Sequence, residues 1–365
     1  REAFTPETAL DDVRALAALT ADAPVSLTAS RTPGAPETSI QAKIYSRTDA
    51  IPLSQCVPVF ENMGLFVEFE TGYPVRPSQA PTEDAPDLYW IHALSMHAND
   101  GRPLDVAAVA EKFEAAFVAV WDGRAENDGF NRLILTAGAT WREAALIRAL
   151  CGYRSQSGLD PARQTQIDAL NSHPDLAARL LASFHARLDP ARGDDLEGRA
   201  AVCAGLRAEI ESGLEQVSAL DDDRVIRRLA DLIMVLQRTN FYHRGPDGQP
   251  PATIAFKVAS RELDLLPDPK PFREIFVASP TVEGVHCRFA PVARGGLRWS
   301  DRRDDYRTEV LGLVKAQQVK NAVIVPVGAK GGFFPKQLPQ GGSREAVREA
   351  GIAAYRAYVT ALIEL

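Results

Sequence analysis

The sequence contains 365 residues, of which 45% are hydrophobic and 24% are charged, and its formal net charge is −7. A chain of this length exceeds one ordinary domain and can bury more than one core. The acidic balance argues against nucleic acid or an anionic membrane as partner, and no apolar run approaches the roughly 20 residues of a membrane-spanning helix. We therefore expect a cytoplasmic protein of two or three domains with no membrane and no nucleic-acid partner.

The first 37 residues are predicted to form a helix and a linker. Thr5 can cap a helix over residues 5–20, with Pro6 at its first position. The stretch that follows is rich in proline, serine and threonine, which predicts a loop.

Residues 38–126 are predicted to form an α+β domain. The elements are a strand from Ser39, a helix over Pro52–Asn62, strands over Leu65–Phe69 and Leu88–Met96, and a helix over Asp105–Trp121. This order is that of a split βαβ sandwich. In order and size it resembles the ACT-like regulatory domains, which bind amino acids.

Residues 127–245 carry apolar residues at helical spacing and predict a helical linker domain. His173 and His185 lie in this region without spaced acidic or histidine partners, so a surface or capping role is favoured over metal binding. His92 and His97 are five residues apart on a predicted strand and point to opposite faces. No two of the four cysteines have the spacing of metal or redox motifs, so we expect free thiols and no metal.

Residues 246–365 begin a third domain, which starts after Pro250-Pro251 with strands over Thr253–Val258, Arg273–Ala278 and Val285–Phe289. The last helix is capped by Ser343, and its pattern runs to Leu365 without a stop signal. Because the first residue is also not methionine, we expect the chain to be an internal part of a longer protein.

A basic segment within this third domain is the candidate for chemistry. From Arg294 to Lys336 there are five arginines and four lysines against four acidic residues. Glycine pairs lie near both ends, at Gly295-Gly296 and Gly331-Gly332, and glycine lets backbone approach a ligand closely. Clustered cations can hold the two carboxylates of a small substrate, and a lysine among like charges can serve as a base or activate water. A solvated basic face is the plain alternative.

Nucleotide-binding motifs are missing from the sequence. Residues 328–332 lack the spacing and the hydroxyl of a phosphate-binding loop, and no Gly-x-Gly-x-x-Gly turn follows a strand. A dinucleotide-binding domain, if the protein has one, is therefore expected beyond Leu365.

Three motifs in order over about forty residues resemble the substrate-domain signature of glutamate dehydrogenases. They are Arg294-Gly295-Gly296-Leu297-Arg298-Trp299, a helix with Gln317 and Lys320-Asn321, and Pro326-Val327-Gly328-Ala329-Lys330-Gly331-Gly332. Residues 299–302 and 315–321 are most similar to the large bacterial NAD-dependent type. That resemblance implies a multidomain α/β (α+β) chain: an ACT-like sandwich, a helical linker domain and the first part of a substrate-binding α/β domain.

The resemblance also implies roles for individual residues. Lys330 matches the catalytic lysine that activates the water which hydrolyses the imino acid, and Lys320 matches the lysine that holds the substrate α-carboxylate. Gln317 matches a neighbouring polar contact, and Gly295 and Gly296 belong to the same substrate site. Arg294 stands where the small hexameric enzymes have a lysine for the side-chain carboxylate. The catalytic aspartate is expected beyond the end of the chain.

The implied function is oxidative deamination of glutamate to 2-oxoglutarate and ammonia with NAD as cofactor, by an enzyme that is a homo-oligomer when intact. The chain on its own is expected to be inactive. Three alternatives remain open: a dehydrogenase for an apolar amino acid, an amino-acid-sensing module formed by residues 38–126, and a nucleic-acid-binding basic segment. Arg294 argues against the first, because an apolar substrate leaves its charge uncompensated.

Overall fold

The computed structural model describes residues 5–47, 49–77, 86–158, 160, 162–193, 195–246, 248–320 and 328–365, and only the backbone at 318–320. The chain divides into two compact units, Arg1–Ala144 and Ala145–Leu365. No helix within these ranges is long and apolar enough to cross a membrane.

The first unit consists of a four-stranded antiparallel sheet and three long helices. Their order is α1 (Pro6–Ala17), β1 (Val25–Ser30), β2 (Ser39–Arg47), α2 (Leu53–Asn62), β3 (Leu65–Val75), β4 (Tyr89–Ala98) and α3 (Val106–Trp121). The strands lie in the order β1-β2-β4-β3. A short 3-10 turn (Gly129–Arg132) and α4 (Leu133–Thr136) follow, and α5 (Trp141–Gln156) begins at the end of this unit.

Side chains that alternate along β2 pack against helices on both faces of this sheet. Ile40, Ala42 and Ile44 are buried in one core with Phe60 of α2 and Phe113 of α3. Tyr45 has the opposite parity and packs in a second cluster with Leu16 of α1. The buried carboxylate of Asp12 fastens α1 to the sheet by accepting hydrogen bonds from Lys43 Nζ at 2.7 and 2.8 Å and from Tyr45 Oη at 2.7 Å.

The predicted order strand, helix, strand, strand, helix is confirmed by β2, α2, β3, β4 and α3. The prediction of a loop before Ser39 was wrong for β1, which pairs with β2 over its whole length. Its apolar residues, Val25, Leu27 and Ala29, alternate with serine and threonine and face the core. The short strand thus supplies, before β2, the fourth strand that a split βαβ sandwich has after its second helix.

The second unit begins with helices and continues as a six-stranded sheet. After α5 its helices are α6 (Arg163–Ser172), α7 (Pro174–Leu188), α8 (Leu196–Leu214) and α9 (Leu220–Met234). The later elements are β5 (Leu236–Thr239), β6 (Ile254–Val258), β7 (Arg273–Ala278), β8 (Val282–Arg288), β9 (Leu297–Trp299), α10 (Tyr306–Lys320), β10 (Ala329–Pro335) and α11 (Arg344–Ile363). The strand order is β5-β6-β7-β8-β10-β9, with β9 parallel to β10 and every other pair antiparallel.

The helical prediction for residues 127–245 is confirmed up to Met234, and the three strands predicted after Pro251 are confirmed within a few residues. Residues 236–239 fall in the predicted helical region but form β5, so the sheet starts before Pro250. The side chain of Leu236 is buried, and an apolar residue at the edge of a periodic segment suits a helix or a strand equally well.

Two histidines of this unit lie within hydrogen-bond distance of a polar side chain. His173 Nε2 lies 3.1 Å from Asp222 Oδ2, and His185 Nδ1 lies 2.7 Å from Tyr242 Oη. Within the described ranges no three histidine, cysteine or acidic side chains come together as a metal site.

Helices cover both faces of the six-stranded sheet. On one face, Tyr153 of α5 makes edge contacts with Phe256 and Phe276. On the other face, Tyr358 of α11 stacks on Phe333 and donates a hydrogen bond to Val285 O at 2.8 Å. The second unit is therefore a three-layer α/β/α arrangement around β6–β10.

A buried ion pair attaches α10 to this sheet. Arg307, in the first turn of α10, donates two hydrogen bonds of 2.8 Å to the Glu274 carboxylate on β7, and both side chains are at most 2% exposed. Tyr153 Oη donates a third hydrogen bond to Glu274 at 3.3 Å. Burial by itself lowers the pKa of Arg307, but attraction and hydrogen bonding by Glu274 outweigh it and raise that pKa.

Substitution of Glu274 tests the contribution of this pair. In a Glu274→Gln variant the Arg307 charge stays buried without its counterion, so we expect unfolding of the second unit to become easier by about 3–5 kcal/mol. Denaturant-induced unfolding measures the change. Asp305→Asn removes the partner of the exposed Arg302 and is expected to change stability little; equal effects of the two substitutions would contradict the assignment.

Candidate functional site

The two glycine-containing motifs of the basic segment lie side by side in the structure. Strand β9 runs parallel to β10, with Leu297 opposite Gly331 and Trp299 opposite Phe333. Upstream of β9, Ala329 N donates a hydrogen bond to Arg294 O at 3.0 Å, and Gly331 N donates one to Gly296 O at 3.2 Å. Residues 294–299 and 329–333 therefore form one continuous edge of the sheet.

Gly295 is required by the closeness of this contact. A Cβ built on Gly295 would lie 1.3 Å from Ala329 O and 2.4 Å from Ala329 C. Gly331 and Gly332 are also tightly packed, since a Cβ on either would come within 2.5 Å of a neighbouring side chain. The sequence suggested that these glycines open space for a ligand. In the structure, these three let backbone and side chains pack closely, whereas Gly296 has open space beside it among the described residues.

That open space is next to the Lys330 ammonium group. The Nζ atom lies 3.8 Å from the position of a Cβ on Gly296. Lys330 is half-buried on β10, opposite Cys287 of β8, and its side chain has no hydrogen bond or ion pair within the described part of the chain. A half-buried cation without a counterion, beside exposed glycine backbone, can receive an anionic or water ligand.

Gln317 approaches the same strand from α10. Its Oε1 atom lies 2.3 Å from the position of a Cβ on Gly328, two residues before Lys330. That oxygen is buried and has no hydrogen-bond partner among the described atoms. It is an acceptor able to take a hydrogen bond from a ligand.

The structure gives less detail for the other two predicted cations, Arg294 and Lys320. Arg294 is exposed, and its backbone oxygen fixes it beside Ala329. Lys320 is the last residue of α10, and its side chain lies outside the described residues, as do residues 321–327. The structure thus brings Arg294, Gly295, Gly296 and Lys330 together at one edge of the sheet, with Gln317 against the adjoining Gly328.

Ion pairs show which cations of the basic segment bind an acidic side chain of the protein and which ones could bind a ligand. Four side chains of the basic segment are neutralised: Arg298 by Glu309 at 2.7 Å, Arg302 by Asp305, Arg307 by Glu274 and Lys336 by Glu283 at 3.2 Å. Of the cations whose side chains are described, Arg294, Arg303, Lys315 and Lys330 have no such partner. Lys330 is the one of these four that is not fully exposed to solvent.

Two supporting residues received no role in the sequence analysis. Glu309 of α10 binds Arg298 and accepts a 2.6 Å hydrogen bond from Ser300 Oγ, so it joins the end of β9 to the helix. Trp299, which is part of the first motif, packs against Phe333 and the backbone of Gly351, where a Cβ would lie 2.0 Å from its ring. A single acid on a helix carries no spacing signal, and the motif does not show what the tryptophan packs against.

The glycine contact gives a direct prediction. Gly295→Ala forces residues 294–296 away from Ala329, and we expect a thermal unfolding temperature several degrees lower, for a loss of about 1–3 kcal/mol. Gly296→Ala is the matched control, because its Cβ makes an ordinary 3.8 Å contact with Lys330 Nζ. Thermal denaturation followed by circular dichroism measures both variants. Equal melting temperatures for Gly295→Ala and the wild type would contradict the close approach.

Comparisons with known proteins agree with the motif resemblance. The profile described as "Bacterial NAD-glutamate dehydrogenase, catalytic domain" matches residues 209–365. "Glutamate dehydrogenase, helical motif 3" matches residues 125–190, and "Glutamate dehydrogenase, ACT3 domain" matches residues 24–109.

Curated relatives carry the same description. The chain is 41% identical over 365 residues to the NAD-specific glutamate dehydrogenase of Halomonas elongata and 42% identical over 368 residues to that of Pseudomonas aeruginosa. It is 40% identical over 378 residues to that of Mycobacterium tuberculosis. Each alignment covers 100% of this chain and 22% of the relative. The three profiles match consecutive parts of the sequence in the expected order, and the chain is similar along its whole length to bacterial NAD-specific glutamate dehydrogenases.

Proposed function

We propose that the full-length protein containing this chain is an NAD-dependent glutamate dehydrogenase. It oxidatively deaminates L-glutamate to 2-oxoglutarate and ammonia, and residues 294–330 form part of its substrate site. The observation that carries the proposal is the half-buried Lys330 ammonium, which faces open space at Gly296 without a counterion among the described residues. The names of the relatives support the choice of substrate and cofactor.

Each predicted site residue has a role in this proposal. Lys320 holds the α-carboxylate of glutamate, and Arg294 holds the side-chain carboxylate, which a guanidinium can grip at both oxygens. The unpartnered Oε1 of Gln317 accepts a hydrogen bond from the substrate amino group. Gly295 and Gly296 keep the edge beside Lys330 free of side chains. Holding both carboxylates orients the Cα–H bond for hydride loss.

Lys330 acts in the hydrolytic half of the reaction. Loss of hydride from Cα leaves an imine, and water bound at the Lys330 ammonium adds to the imine carbon. The C–N bond then breaks and ammonia leaves, which gives 2-oxoglutarate. Lys330 holds this water and passes the proton that the water loses to the departing nitrogen.

The cofactor NAD supplies the hydride acceptor. The sequence has no Gly-x-Gly-x-x-Gly turn between a strand and a helix, so its residues do not fit the pyrophosphate of a dinucleotide. We propose that NAD is bound by another part of the full-length enzyme, and that this chain supplies the substrate side of the site.

We further propose that the enzyme works in the cytoplasm, in glutamate catabolism, as a homo-oligomer. The state of the cysteines supports a reducing compartment: Cys56, Cys203 and Cys287 are buried and take no part in a disulfide.

Kinetics of a Lys330→Ala variant of the full-length enzyme test the proposal. We expect kcat for NAD reduction with glutamate to fall by about 10²–10⁴, the usual contribution of a positioned acid or base, with a smaller change in KM. Lys330→Arg, which keeps the charge but does not exchange a proton near neutral pH, is expected to recover binding and not turnover.

Lys315→Ala is the matched control, since it removes an exposed cation of α10 that has no ion-pair partner in the described structure. It should leave kcat within about twofold of the wild type. Leucine and phenylalanine serve as alternative substrates. Turnover of these in preference to glutamate, or a Lys330→Ala enzyme as active as the wild type, would refute the assignment.

A second candidate function is favoured by the match of residues 24–109 to an ACT3 domain. In that case the first unit senses an amino acid, and the rest of the chain is scaffold. Calorimetric binding of amino acids to the full-length Lys330→Ala variant separates the two. The sensing module would be favoured if neither the wild type nor the Lys330→Ala variant had glutamate dehydrogenase activity and both bound an amino acid saturably with the same affinity.

A further inference from the structure

A second group of cations lies on the face of the six-stranded sheet that packs against α11. Lys257 of β6, Arg273 of β7 and Arg288 of β8 line an open cleft of about 200 Å³. Ile275, His286 and Leu362 complete its walls. The three cations come from three neighbouring strands, so the sheet itself fixes their spacing.

Strand register separates this cleft from Lys330. Lys257 is opposite Ile275, which is opposite His286, which is opposite Gly331. Lys330 belongs to the adjacent row, opposite Cys287, and successive side chains of a strand point to opposite faces. The cleft and the Lys330 side chain therefore lie on opposite faces of the sheet.

The cations of the cleft are not neutralised by acidic side chains of the described structure. Lys257, Arg273 and Arg288 form no ion pair within it. Arg273 stacks over the ring of Phe272 at 4.3 Å and donates a 2.7 Å hydrogen bond to Phe272 O. The Nε atom of Arg288 is buried and has no hydrogen-bond partner among the described atoms. A buried donor without a partner is costly, and a bound acceptor removes that cost.

Electrostatics of the cleft favour an anion. Burial lowers the pKa of Lys257, and repulsion by Arg238, Arg273 and Arg288 lowers it further. Burial and the nearby charge of Arg288 lower the pKa of His286 to about 4, so its ring is neutral near pH 7. The cleft therefore holds three positive charges and one neutral imidazole, which is able to donate or accept a hydrogen bond.

We propose that this cleft is a binding site for a small, multiply charged carboxylate, a di- or tricarboxylate separate from the substrate at Lys330. Two guanidinium groups on adjacent strands can each grip one carboxylate, with the ammonium of Lys257 beside them. Ile275 and Leu362 offer an apolar wall to a short carbon chain, which a bare phosphate lacks. The cleft is small for an organic ligand and excludes a nucleotide.

The position of the cleft connects it to the candidate site. His286 Cδ2 lies 3.1 Å from the position of a Cβ on Gly331, the residue after Lys330. One wall of the cleft, His286, therefore packs against the strand that carries Lys330. The binding proposal rests on the cleft alone and does not depend on the reaction proposed for Lys330.

Citrate binding to the full-length protein tests the site. Isothermal titration calorimetry is run with citrate, with inorganic phosphate and with sodium chloride at matched ionic strength. We expect saturable binding of citrate that weakens by about tenfold or more in Arg273→Gln and in Arg288→Gln, because each loses a charge-assisted contact. Arg348→Gln removes an exposed cation of α11 outside the cleft and should keep wild-type affinity.

Thermal unfolding of the same variants shows whether each of them is folded. Without added anion, removal of a like charge should leave the melting temperature of Arg273→Gln and Lys257→Gln unchanged or higher. If Arg288→Gln unfolds, Lys257→Gln takes its place in the titration. Equal citrate affinity in every variant, no citrate binding by the wild type, or binding of phosphate in preference to citrate would each overturn the proposal.

Discussion

The buried pair between Arg307 and Glu274 is the contact on which the second unit depends. It joins the first turn of α10 to β7 inside the protein, where neither charge is solvated. Helix α5 adds two contacts, since Tyr153 donates to Glu274 and the Gln156 side-chain oxygen accepts from Arg307 N at 3.2 Å. Because α10 carries Gln317 and Lys320 while the sheet carries Lys330, this pair fixes the two halves of the candidate site relative to each other.

Close backbone packing then sets the edge of the sheet at which Lys330 is presented. Gly295 allows residues 294–296 to lie against Ala329, and the ladder of β9 and β10 continues that contact. The cations near this edge differ in whether an acidic side chain of the protein binds them. Arg298, Arg302, Arg307 and Lys336 hold the structure together, whereas Lys330 keeps an ammonium group that its described neighbours do not neutralise.

Sequence periodicity predicted the elements whose apolar residues repeat over a long stretch. The α+β order from β2 to α3, the helical region and the three strands after Pro251 follow from such patterns. Strands β1, β5, β9 and β10 were missed, because segments of three to seven residues in which serine, threonine, glycine or charged residues interrupt the apolar ones do not establish a period.

The motifs around Arg294, Gln317 and Lys330 carry the resemblance to glutamate dehydrogenases. They could not show which cations form ion pairs, because Glu274 and Glu283 come from strands before the motif.

The cleft of Lys257, Arg273 and Arg288 could not be predicted from the sequence. Its three cations are 31 residues apart at most and come together only through the register of the strands.

We propose that a dicarboxylate substrate binds between Gly296 and the Lys330 ammonium. A crystal structure of the full-length protein soaked with 2-oxoglutarate tests this proposal. We predict ligand density at the edge formed by residues 294–296 and 328–330, with Lys330 Nζ within hydrogen-bond distance of the ligand or of a water molecule next to its C2 carbonyl carbon. Ligand bound only in the unit Arg1–Ala144, or a ligand in the second unit that leaves Lys330 without contact, would refute the proposal.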